Sequence, residues 1–379
     1  MTDTVSYKTE PRYKLLDGLR GVAAILVICY HFGEGFATSA LDQMMNHGYL
    51  AVDFFFVLSG FVIGYAYQNR WSKGLTVGRF MLRRVIRLQP MVVLSVVLGA
   101  LSFMMQGSVK WDGTAVPLHL ALICLVLSLF LIPAAPGAPY EIRGNGEMFP
   151  LNGPAWSLFF EYIGNAVYAL WLRRLGTRGL AAFVAVCGAG LAAWAVCNMS
   201  GTYNIGVGWS MLEMGWLGGL LRVGFSFSAG LLIQRVFKPR YIRGAFWLCA
   251  VVLFLVFACP YVGGTDEPSV WNGIYDAVAA LVVFPTIVYV AASGNTTDAL
   301  SGRVCEFLGQ LSYPVYIIHY PVMYLFYHWV WTNNYTLAQV WPVCIGLFVL
   351  IVAMAWFAMK FYDTPVRRWL GSRLLTRGR

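Results

Sequence analysis

Eleven stretches of mostly apolar residues divide this chain of 379 residues: 15–36, 48–68, 88–106, 117–133, 153–172, 179–197, 209–234, 244–261, 273–292, 304–329 and 338–361. A spanning helix needs about 17–25 such residues, each rising about 1.5 Å. The pattern therefore predicts an all-α fold, a polytopic transmembrane helical bundle. Charged residues make up 12%, about half of what a soluble surface carries. A soluble enzyme, a secreted disulfide scaffold and a disordered tail are excluded.

The net charge of +10 does not form a nucleic-acid patch. Of the 27 Lys and Arg, all but Arg20, Lys110, Arg143 and Arg222 lie in 1–14, 69–87, 173–178, 235–243, 293–303 or 360–379. By the positive-inside rule these are cytoplasmic, and so are both termini. Two cytoplasmic ends need an even number of crossings. The run 117–133 is short and followed by Pro133, Pro136 and Pro139, so it is expected to be re-entrant or tilted beside ten spanning helices. The expected layout is a cytoplasmic tail at 1–14, a transmembrane domain at 15–361 and a basic cytoplasmic tail at 362–379. The outward loops are 37–47, 134–152 and 262–272. No cleavable signal is expected, because Gly33-Glu34-Gly35 closes the first run where a small-residue cleavage site would be needed. The eight cysteines form no Cys-x-x-Cys pair and no metal-ligand spacing is present. Gly60 and Gly64 mark a close helix crossing.

Ionisable residues at membrane depth cost about 2.5–3.5 kcal/mol each and usually face a cavity or a partner. Arg20 and His31 are eleven residues apart, about three helical turns, so both point the same way and stand about 16 Å apart along the axis. Asp17 is placed to pair with Arg20 on that face. The second helix runs back and brings Asp53 to the depth of His31, where a carboxylate would orient an imidazole acting as general base. A polar helix–helix contact is the alternative for both residues. Arg83, Arg84 and Arg87 suit bidentate phosphate binding, or equally lipid headgroups. In the segment Asn152-Gly-Pro-Ala-Trp156-Ser157-Leu-Phe-Phe-Glu161, the buried Glu161 either handles protons or pairs with a buried arginine such as Arg222. His319 either lines the same cavity or is a satisfied bundle histidine.

In chain order these segments resemble the acyltransferase 3 family of integral-membrane acyltransferases. The likeness runs through Leu16-Asp17-Gly18-Leu19-Arg20-Gly21 and its Arg-x10-His spacing to His31, then Val52-Asp53-Phe54-Phe55-Phe56 and Arg84-x-x-Arg87. It continues through Pro154-Ala155-Trp156-Ser157-Leu158, Leu311-Ser312-Tyr313 and Asp363-x-Pro365. The resemblance implies a ten-helix enzyme of the bacterial inner (plasma) membrane. It would move an acyl group, most often acetyl, from cytoplasmic acetyl-CoA (acyl-CoA), without a metal, to a hydroxyl of an extracytoplasmic carbohydrate or glycolipid acceptor. Carried over, His31 is the catalytic base and Arg20 a second essential residue, with Asp53 and Glu161 completing the catalytic set. Arg83, Arg84 and Arg87 would meet the donor's phosphates, and Trp156, Ser157, Arg222 and His319 are candidate acceptor contacts. An acyl-histidine relay is the alternative to direct transfer.

Some members carry a soluble esterase-like domain; its absence here implies action alone or with a separate extracytoplasmic partner enzyme. The acids of the outward loops (Glu34, Asp42, Asp112, Glu141, Glu147, Asp266 and Glu267) suit a neutral polyol better than an anionic sugar. The competing reading is a polysaccharide or glycolipid exporter without acyl transfer. A structural or signalling scaffold would leave the membrane-depth charges unexplained.

Overall fold

The computed structural model describes residues 13–39, 42–238, 240–263, 268–294 and 299–375. The tail up to residue 12, the loop acids Asp266 and Glu267, and residues 376–379 of the basic tail lie outside the described residues. Within them the regular secondary structure is helical, and the β-pairing consists of isolated bridges such as Glu147 with Ser210.

The helices follow the apolar runs in order. They are α1 (Lys14–Glu34), α2 (Ala51–Trp71), α3 (Val77–Met105), α4 (Leu118–Leu129), α5 (Ala155–Leu170), α6 (Thr177–Val196) and α7 (Gly215–Val236). Then come α8 (Ala245–Ala258), α9 (Val270–Val278), α10 (Phe284–Ala292), α11 (Ala299–Asn333), α12 (Leu337–Ala358) and α13 (Thr364–Leu374). The turns Ala279–Val283 and Met359–Asp363 are π-helical and join α9 to α10 and α12 to α13 without a break. Among the described residues, seven helices are long and apolar enough to cross a membrane. The α4 helix has 12 residues, about 18 Å at 1.5 Å each, short of a hydrocarbon core of about 30 Å. The α8 helix, with 14 residues, is short by the same measure.

Caps and close crossings fix the frame. Thr76 starts α3 eleven residues before the apolar run by accepting from the Arg79 amide, so Arg83, Arg84 and Arg87 lie inside the helix. A capping box of Thr336 and Gln339 starts α12. The most extensive helix pairs are α1 with α11 and α2 with α7. At the first crossing, a Cβ on Gly21 would stand 2.5 Å from the Leu308 carbonyl oxygen. At the second, a Cβ on Gly60 would stand 1.9 Å from the Phe227 oxygen, whereas at Gly64 it would meet only the Gln234 side chain. The expected close approach therefore centres on Gly60. Apolar side chains such as Trp341, Val349 and Leu350 of α12 point away from the bundle, as lipid contact requires.

Candidate active site

The consecutive glycines and charges of α1 have separate tasks. With Gly21 admitting the α11 backbone, the Arg20 guanidinium reaches Gly309 O and Ser312 Oγ, each at 2.8 Å. Asp17 stands 3.2 Å from it on the same face, as their spacing predicts. Arg20 opens into an inner cavity of about 520 Å³ that also contains Arg70, Arg84, Arg87 and Glu161. Glu161 Oε1 accepts from Arg84 Nη2 and from Ser59 Oγ, both at 2.8 Å. Glu161 is therefore an arginine's partner, but that arginine is Arg84, not Arg222.

Arg87 has no hydrogen-bond partner among the described residues. It faces the charges of Arg367, Arg20 and Arg84, with Asp363 as the opposing carboxylate. Asp363 in turn accepts from Arg367 at 2.9 Å. The cavity therefore concentrates positive charge that its own carboxylates only partly balance, the condition under which guanidinium groups take up phosphate. Arg83 does not line the cavity.

Farther along α1, His31 opens into an outer cavity of about 290 Å³. Its Nδ1 lies 2.7 Å from Glu34 Oε2, and the Tyr327 hydroxyl lies 2.9 Å from that same oxygen. An ionised carboxylate only accepts, so Glu34 places the ring proton on Nδ1 and leaves the Nε2 lone pair as the basic site. Glu34 therefore takes the orienting place expected of Asp53. From the sequence only Asp53 is expected in that place, but α2 turns Asp53 toward α7. There its oxygens accept from Arg222 Nη2 at 2.7 Å and from Nε at 3.2 Å. The pair is fully buried, and Arg222 also donates to Tyr49 O and Val207 O.

Trp156 stacks on Arg222, its ring centroid 5.0 Å from the guanidinium carbon, and both line the outer cavity. Ser157, one residue on, lines the inner cavity instead. The start of α5 is pinned by Asn152, which donates to Ser95 Oγ and to Ile317 O. His319 lies behind the wall: fully buried, its ring is 5.1 Å from that of His31, and its Nε2 has no hydrogen-bond partner among the described residues.

The rest of the outer cavity is aromatic and neutral-polar. It holds four tryptophans, seven tyrosines and the amides of Gln43, Asn46, Asn145 and Asn204. Glu147, from the loop before α5, accepts from the Tyr324 hydroxyl and from Asn145. Burial pushes its carboxyl up to about 7 against the pull of those donors. Arg143 braces this loop, fully buried against the Tyr324 ring and donating to Pro150 O. His47, which carries no signal in the sequence, pairs at 2.8 Å with buried Asp276, and Tyr49 donates to the same carboxylate at 2.6 Å.

The two cavities adjoin at Val52 and Tyr316, the residues that line both. Arg20 and His31 thus face two adjoining chambers within the bundle. A family profile described as an acyltransferase domain matches residues 13–359.

The chain belongs to the acyltransferase 3 family.

Its relatives include Acyltransferase MdmB of Streptomyces mycarofaciens, 23% identical over 96% of this chain and 93% of that protein. Peptidoglycan O-acetyltransferase OatA of Listeria monocytogenes is 24% identical over 93% of this chain and 55% of OatA. Protein 2 in picA locus of Rhizobium radiobacter is 37% identical over 44% of this chain and 86% of that protein. No solved structure matches. This acyltransferase 3 protein is an integral membrane protein with O-acetyltransferase relatives, and among its described residues no group of His, Cys, Asp or Glu is arranged to hold a metal.

Proposed function

We propose that the protein transfers an acyl group, acetyl in the simplest case, from a cytoplasmic coenzyme A thioester to a hydroxyl of an extracytoplasmic carbohydrate. Ten crossings with both termini in the cytoplasm would put the arginine-rich cavity on the donor side. The observation that carries the reading is the His31–Glu34 pair, which opens into an aromatic chamber adjoining a chamber lined with arginines. Arg84 and Arg87 hold the donor's phosphates. Arg20, fixed by Gly309 and Ser312, lines the way of the thioester arm toward the outer chamber. There the flat faces and polar edges of tryptophan and tyrosine suit a sugar ring. The relatives named for O-acetyl transfer support the reaction class.

His31 Nε2 takes the acceptor's proton as the hydroxyl oxygen attacks the thioester carbon. It then returns that proton to the departing thiolate. General-base assistance of this kind contributes about 10²–10⁴-fold. The test uses purified protein in proteoliposomes, acetyl-labelled coenzyme A and a neutral oligosaccharide. Wild type is expected to pass label to the glycan and His31→Ala to lose transfer by at least about 10²-fold. Label that stays on the donor with wild type refutes enzymatic transfer, and full activity in His31→Ala refutes the role of His31.

A further inference from the structure

The inner and outer cavities share two residues, and only one of them is polar. Val52 is aliphatic, whereas Tyr316 carries a hydroxyl. The hydroxyl lies 2.7 Å from Ser157 Oγ, which in turn donates to Pro154 O at 2.9 Å. The Tyr316 hydroxyl also lies 3.4 Å from Pro154 O, so its hydrogen can go to the serine oxygen or to that carbonyl, both neutral acceptors at the start of α5. The ring is held on its other side by Phe55, centroids 5.4 Å apart and edge to face.

The position on the helix is equally specific. Ser312, Tyr316, Tyr320, Tyr324 and Tyr327 recur at intervals of three or four residues on α11 and so lie along one face. Ser312 belongs to the inner cavity, Tyr320 to the outer one, and Tyr316 to both. The Tyr320 ring meets the His31 ring edge to face at 4.8 Å, so Tyr316 stands one turn inward of the residue that touches the base.

We propose that the Tyr316 hydroxyl is the hydrogen-bond donor to the thioester carbonyl oxygen during transfer, with Ser157 as its positioning residue. The assignment rests on the reading above. Arg20 is engaged by Gly309 and Ser312 of α11 at the inner end and is not the donor in this assignment. As the acceptor oxygen adds to the carbonyl carbon, its proton goes to His31 Nε2 and negative charge collects on the carbonyl oxygen. The Tyr316 hydrogen swings from Ser157 Oγ to that oxygen, and Ser157 donates to the phenol oxygen in its place. When the carbonyl re-forms, the carbon–sulfur bond breaks, the thiolate takes the proton from His31, and Tyr316 returns to Ser157. No electron or proton is gained or lost overall.

A lost oxyanion donor costs about 10²–10³-fold in kcat. Tyr316→Phe keeps the ring against Phe55 and Val52 and is expected to show that loss, with the KM for acetyl-CoA and for the oligosaccharide changed less than about threefold. Ser157→Ala is expected to lose less. Tyrosines of graded fluorination inserted at 316 give a second measurement on a nearly native scaffold: kcat should track phenol acidity, which a packing role would leave flat. Wild type that transfers label while Tyr316→Phe stays within about threefold in kcat overturns the assignment alone. So does a flat fluorotyrosine series. Wild type that transfers no label removes the underlying reading and the assignment with it.

Discussion

Substituting Asp53 by Asn leaves the Arg222 guanidinium fully buried without its counter-charge. The Nη2–Oδ2 separation of 2.7 Å corresponds to an attraction of about 6 kcal/mol at an effective dielectric of about 20, much of it offset by taking both ions out of water. Loss of one partner alone is therefore expected to cost about 3–5 kcal/mol. The carbonyls of Tyr49 and Val207 still accept from Arg222 but carry no net charge. Arg222→Met is expected to cost a similar amount by stranding the carboxylate. The double variant should recover most of the loss, since well-packed neutral replacements of a buried pair are often harmless. The assay is reversible unfolding in mixed detergent micelles, run as a double-mutant cycle on wild type, both singles and the double. A coupling energy above about 2 kcal/mol is expected for contacting groups. Single losses below about 1 kcal/mol that add in the double would refute the claim that this pair locks α2 to α7.

Glu34→Gln should lower kcat by about 10²–10⁴-fold, because an amide can donate to Nδ1 and stabilise the wrong histidine tautomer; unchanged turnover in the acetyl-transfer assay would contradict the orienting role. The Glu147 carboxyl, raised to about 7 by burial, holds a proton that the unfolded chain has already released above about 4.5. Its contribution to stability is complete at pH 4.5 and is lost as pH rises to 7, a change of about 3 kcal/mol. Glu147→Gln should flatten that slope in unfolding measurements across the same interval. Gly60→Ala forces a Cβ to within 1.9 Å of the Phe227 oxygen, so α2 and α7 must part; a cost of about 1–3 kcal/mol is expected in the same micelle titration.

What the chain discloses by itself follows the range of the interaction. The three-turn spacing of Arg20 and His31 belongs to a single helix, and the two residues line the adjoining inner and outer cavities. Arg84 and Arg87 share a helix face by the same logic, while Arg83 falls off it. Glu34 was equally accessible, three residues after His31, but the flanking glycines read as a loop and α1 extends through Glu34. Pairings between helices were not accessible. Asp53 chooses Arg222 and Glu161 chooses Arg84 across 169 and 77 residues, and the choice depends on which helices lie side by side. Glycine contacts such as Gly60 against Phe227 decide that adjacency, and no local pattern announces the partner.

Val52 and Tyr316 leave the two chambers touching but not confluent. An enzyme whose substrates arrive from opposite compartments would short-circuit the electrochemical gradient if water columns from both sides met inside it. Under the proposed two-sided reaction, a branched aliphatic side chain and a phenol ring between the chambers would let a slender acyl chain pass while breaking the file of water that protons and ions would follow. Chemistry across the bilayer would thereby be separated from conductance across it.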